Sequence, residues 1–247
     1  MQQTFQTTEA GAMNAPSTAL PGFSNPIDDA RIVFRAARNA LSRPGIPVSL
    51  TTLPSPLPGA GFSQGMLALA LTLCDSDTPV WLDAAADTPE VRRHLRAHSA
   101  SPITANPSEA SFAFITQAEE MPRLYAFRQG KPDFPDRSTT LIIRANLSGC
   151  HELPRESGDI NIKGSGRGEW QDFRRSGLPG WFWDDWKTNH AAYPLGVDVL
   201  FVDSGADHSG APCARLMGLP RTARVRASGR YIRESSRSFA RGNTVCM

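Results

Sequence analysis

The residues best placed to do chemistry are few and scattered. His94 and His98 stand four apart in a stretch that reads as helix, a spacing that presents two imidazoles on one face for a metal. Leu95 follows His94 where a zinc-hydrolase helix would carry glutamate, and no third ligand stands nearby, so the pair is expected to be polar and partly exposed. Gly164-Ser165-Gly166-Arg167-Gly168 offers backbone amides and a guanidinium to a phosphate. It matches neither the Walker pattern nor a glycine-rich turn opening a long helix, and is expected to be a flexible turn. Asp203, Asp207 and His208 have the types of a carboxylate–histidine site, but the surrounding Gly and Ser read as a hairpin loop, where Asp is a turn former. Trp181, Phe182, Trp183 and Trp186 form the densest aromatic cluster, expected to be core or interface rather than a stacking platform.

Nucleophiles and cofactor anchors are also missing from the sequence. There is no GxSxG, and no Ser/His/Asp order stands out. The only lysines are Lys131, Lys163 and Lys187, none in the setting of a pyridoxal-binding lysine. Cys74, Cys150, Cys213 and Cys246 show no CxxC and no CxxxCxxC, which excludes a radical iron–sulfur subunit and predicts a reducing cytoplasm. No cofactor and no autonomous active site are expected.

The elements that must position these residues follow from local signals. Asn25 caps and Pro26 opens a helix with Asp28 and Asp29 in its first turn. Ala30, Phe34, Ala37 and Leu41 form its expected core stripe, and Ser42-Arg43-Pro44-Gly45 ends it. A strand is expected at 46–50, then a buried helix over 64–74, broken by Asp75-Ser76-Asp77. A strand at 79–83 and a helix from Thr88-Pro89 to His98 come next. Further strands are expected at 111–115, 139–144, 197–203 and 215–219, with a helix at 121–128 closed by Gly130. Alternating strands and helices predict an α/β fold, and the last two strands, joined by a tight turn, predict a hairpin and hence a mixed sheet.

The whole chain has 247 residues, 40% of them hydrophobic, enough for one substantial core, and its net charge of +2 is too small to argue for nucleic-acid binding. The longest apolar run, 66–74, is too short to span a bilayer. Residues 1–23 read as a disordered leader, 24–227 as one domain, and 228–247 as a flexible Arg/Ser tail.

Five stretches carry a resemblance: FRAARNALSRPG (34–45), LTLCDSDTPVWL (71–82), PDRSTTLII (135–143), YPLGVDVLFVD (193–203) and GLPRTARV (218–225). In this order and spacing they resemble the PhnH family, subunits of the bacterial carbon–phosphorus lyase system. The resemblance implies a three-layer α/β fold with a central mixed sheet, similar to the large domain of pyridoxal-phosphate-dependent transferases but lacking the cofactor site. It implies a homodimer that joins PhnG, PhnI, PhnJ and PhnL in making ribose 1-alkylphosphonate 5-triphosphate from ATP and phosphonate. The chain's own part is then accessory, or alternatively it binds ATP or phosphonate itself. No catalytic residue is carried over. Arg35, Arg43, Asp77 and Arg221 are the candidate phosphate or partner contacts, with structural roles expected for Asp77 and Arg221.

Overall fold

Three helices begin where a polar side chain meets a free backbone amide. Asn25 accepts from the Asp28 amide at the start of α1 (Pro26–Ser42), Ser63 from the Met66 amide at α2 (Gln64–Leu73), and Thr88 from the Val91 amide at α3 (Pro89–His98). The computed structural model describes residues 20, 22–57, 61–147, 160–165, 169–173, 177–206 and 210–227. Most of the leader, the centre of the 164–168 turn, Asp207, His208, Cys150 and the tail from 228 lie outside these residues.

The strands are β1 (Val48–Leu50), β2 (Val80–Leu82), β3 (Phe112–Ile115), β4 (Gln129–Lys131), β5 (Phe134–Ser138), β6 (Thr140–Arg144), β7 (Ile160–Lys163) and β8 (Gln171–Phe173). The helix α4 (Phe182–Ala191) precedes β9 (Asp198–Ala206), β10 (Pro212–Leu219) and β11 (Arg224–Ala227). The central sheet has the order β1-β10-β9-β6-β3-β2, in which β2, β3, β6, β9 and β1 run in one direction and β10 alone is reversed, pairing antiparallel with both β9 and β1. This is the expected α/β architecture with a mixed sheet. The expected β9–β10 hairpin is present, with Val199 opposite Leu219 and Ala206 opposite Pro212.

Alternation along the strands makes two cores. Phe114, Ile142, Leu200, Val202 and Leu216 pack under α1, α2 and α3. Ala113, Ile115, Leu141, Ile143, Phe201, Met217 and Leu219 face α4 and a small sheet of order β11-β7-β8. Period two sends neighbouring residues to opposite faces, so the central strands are apolar throughout.

Three expectations need correction. The buried stripe of α1 is Val33, Ala36, Ala37 and Ala40, whereas Phe34 is 51% exposed. The alanines win because the helix lies close on β10: a Cβ at Gly218 would sit 2.4 Å from the Ala40 carbonyl oxygen. The expected helix at 121–128 is only a 3₁₀ turn, Leu124–Ala126. Phe127 is extended, and the Arg128 amide donates to the Thr139 hydroxyl. Gly130 (φ +80°) turns the β4–β5 hairpin instead of closing a helix. The aromatic cluster is core, as expected: Phe182 and Trp186 of α4 are fully buried, and Trp183 and the N-cap residue Trp181 pack half-buried against them.

Candidate functional site

Parallel pairing brings four chain exits to one edge of the central sheet. Leu82 lies opposite Phe114, Ile115 opposite Ile143, and Arg144 opposite Val202. Asp83 and Thr116, just past β2 and β3, therefore meet Arg144 at the end of β6 and Asp203 within β9, near the carboxyl ends of the parallel strands, the usual place for ligands in open α/β sheets. An open cleft of about 500 Å³ lies there, bordered by Thr116, Gln117, Glu119, Glu120, Arg144 and Asp203.

Its walls are braced by two carboxylates. Buried Asp83 accepts hydrogen bonds from the amides of Thr116 (2.6 Å), Gln117 (2.8 Å) and Ala86 (2.8 Å), and from the Thr116 hydroxyl (3.0 Å). These charge-assisted bonds fix the turn after β3 to the end of β2. Asp203 pairs with Arg215 at 2.7 Å and accepts from the Leu147 amide at 3.1 Å. Asp203 thus belongs to strand β9 and the cleft wall, not to a hairpin loop as its neighbours in sequence suggested. Arg144 is the only cation among the described lining residues, and it makes no ion pair with a described residue. Glu119 and Glu120 stand exposed nearby. The cleft can hold a polar molecule, and no histidine or cysteine lines it among the described residues.

The four candidate contacts do not come together, and none lines this cleft. Arg35 is exposed on the outer face of α1 beside Phe34. Arg43, exposed at the end of α1, borders a groove with Pro220 and Thr222. Asp77 is exposed in the turn after α2, its amide donating to the Asp75 carboxylate at 3.0 Å. Arg221 is enclosed, and all three guanidinium nitrogens are engaged. It pairs with Asp198 (2.6 Å) and donates to the carbonyls of Pro135 (2.9 Å) and Pro194 (3.2 Å) and to the Ser138 hydroxyl. This guanidinium ties β9 to the β4–β5 hairpin and to the cis Tyr193–Pro194 turn.

His94 departs from the expected half-exposed pair. Its ring is 1% exposed, and neither nitrogen has a hydrogen-bond partner. Burial, with a smaller contribution from His98, pushes it down to about 4. The two rings lie 4.4 Å apart, but no group of three or more potential metal ligands occurs among the described residues. Cys74 is buried and its thiol is raised to about 12, chiefly by that burial, so it is inert at neutral pH. The residues that sequence reading missed, Asp83, Thr116 and Arg144, carry no local signal, because only strand pairing joins them.

The family model of PhnH, described as a bacterial phosphonate metabolism protein, matches residues 21–226. The chain belongs to the PhnH family. The match runs from the residues before α1 into β11, and all five quoted stretches fall inside it. A PhnH relative from Rhizobium meliloti (strain 1021), named alpha-D-ribose 1-methylphosphonate 5-triphosphate synthase subunit PhnH, is 32% identical over 216 residues. That alignment covers 86% of this chain and 98% of the relative. No helix among the described residues of this PhnH chain is long and apolar enough to cross a membrane.

Proposed function

We propose that this chain is a subunit of an alkylphosphonate-processing assembly, supporting formation of ribose 1-alkylphosphonate 5-triphosphate, with the covalent chemistry done by partner subunits. The observation that carries this reading is the family match across nearly the whole fold, together with the name borne by the Rhizobium relative. The partners are PhnG, PhnI, PhnJ and PhnL, and the compartment is the cytoplasm. The chain also pairs with itself. In support of an interface, Ile27 (68%) and Phe34 (51%) are exposed together on the outer face of α1. The mixed sheet between helices supports a kinship with the large domain of pyridoxal-phosphate-dependent transferases.

The test is co-expression of the tagged chain with the four companion subunits from the same operon. Stoichiometric co-elution through affinity and size-exclusion steps is the expected result. A chain that elutes without any of the four overturns the reading.

A further inference from the structure

The strand-end cleft is a poor place for a phosphate chain, because Glu119, Glu120 and Asp203 outnumber Arg144 among its described lining residues. Positive charge gathers elsewhere, on the small sheet. Ile160, Ile162 and Phe173 point into the second core, so the alternating residues of the same strands lie on the opposite face, where Asn161 is buried and Lys163 half-buried. Register places Arg224 directly opposite Lys163 and Arg226 opposite Asn161, while Asn161 also faces Asp172. Lys163, Arg224 and Arg226 make no ion pair with any described residue. Like charges opposite one another weaken a strand pair. The fold keeps Lys163 and Arg224 in that arrangement, and a bound anion would relieve it.

An aromatic ring stands among these cations. The Arg226 guanidinium lies 4.1 Å from the centre of the Trp170 ring, and the Lys163 ammonium 6.0 Å from it. A pocket of about 240 Å³ opens between this edge and α4, bordered by Trp170, Arg224, Lys187 and His190. Three carboxylates lie close by: Asp184 holds Lys187 at 2.8 Å, Asp172 accepts from the Asn161 amide group, and Glu169, next to Trp170 in the chain, borders the separate groove with Gly164 and Ser165. What remains is a set of cations without an ion pair among the described residues, gathered around a flat π-surface. Phosphate oxygens seek the first, and a planar heterocycle stacks on an indole or on an arginine plane.

We propose that the outer face of the β11-β7-β8 sheet, with its pocket against α4, is a binding site for a nucleoside polyphosphate. Lys163 and Arg224 take the phosphate oxygens, and the base stacks on the Trp170–Arg226 pair. The site stands on this sheet face alone and does not depend on the assembly proposed above, so binding by the purified chain and co-elution with partners fail separately.

The experiment is calorimetric titration of the full-length chain at low salt with ATP, AMP, tripolyphosphate and a single-stranded RNA oligomer. ATP is expected to bind about tenfold more tightly than either AMP or tripolyphosphate, because it alone uses both halves of the site. Trp170→Leu should weaken ATP by about tenfold and leave tripolyphosphate unchanged. Lys163→Gln should weaken both while raising the thermal midpoint, since it removes the opposed cations; loss of binding there is not loss of fold. No ATP binding overturns the proposal. So does equal binding of ATP and tripolyphosphate with no effect of Trp170→Leu, which is general attraction of polyanions. RNA binding that ATP does not displace also overturns it and makes the face a nucleic-acid platform.

Discussion

Replacing His94 by leucine gives a clear test of the buried helix face. The His94 ring is 1% exposed, and both its nitrogens lack partners, so charging it in the folded state is costly. The unfolded chain titrates near 6.5, whereas in the fold burial and the nearby His98 bring the group to about 4. Between these values the unfolded state binds more protons than the native one, so stability falls as pH falls. The full loss, complete below about pH 4, is roughly 3 kcal/mol, with roughly 2 kcal/mol gone by pH 5. Other groups titrate in the same window, so the useful quantity is the difference between the wild type and His94→Leu. Leucine fits beside Val91 and Leu95 on this face and has no polar atoms to desolvate. The variant should match or exceed the wild type at pH 7.5 and exceed it by roughly 2 kcal/mol more at pH 5. Urea unfolding followed by tryptophan fluorescence at both pH values measures this. His98→Gln, at an exposed position, should reproduce only a small part of the effect. Parallel pH dependences for wild type and His94→Leu would refute the reasoning. So would a loss of more than about 2 kcal/mol at pH 7.5, because the ring would then be satisfied by a partner that this environment does not contain.

Two further outcomes are expected. Arg221→Met leaves Asp198 without its cation and frees the two proline carbonyls, so urea unfolding should show a loss of roughly 3 kcal/mol; a change below about 0.5 kcal/mol would mean that the clamp is not holding β9 to the β4–β5 hairpin. Cys74, buried and raised to about 12, should resist iodoacetamide in the native chain at pH 8, whereas the partly exposed Cys213 is alkylated; peptide mass mapping decides, and rapid native labelling of Cys74 would contradict its burial.

Elements with a local start signal were readable, and elements without one were not. Asn25 and Thr88 each place an oxygen before a helix, and both helices begin where the sequence indicates. The helix α4 begins at Phe182 after Trp181, which offers no capping oxygen, so its aromatic run announced burial but not helix. Gly130 shows how one residue type serves two purposes: a positive φ suits a helix end and a hairpin turn alike, and only pairing of Gln129 with Ser138 decides between them. The stripe of α1 failed for a different reason. Hydrophobicity favours Phe34 over alanine, but the approach to Gly218 leaves room only for small side chains.

The same distinction explains why the family was legible while the site was not. The stretches that carry the resemblance lie where backbone and packing are tightly constrained. Residues 34–45 hold the alanines of α1, 193–203 contain the turn and strand that Arg221 secures, and 218–225 contain both Gly218 and Arg221 itself. Constraints of that kind are local in sequence, so they can be read in order along the chain. The cleft is assembled by Asp83 reaching thirty-three residues onward to Thr116, and by Arg144 lying opposite Val202. The basic face likewise needs Lys163 of β7, Trp170 just before β8 and Arg224 of β11. Such groupings exist only after the strands have paired. Short stretches that fix the fold therefore reveal which family this is, while residues that would touch a ligand emerge only from the register of the sheets.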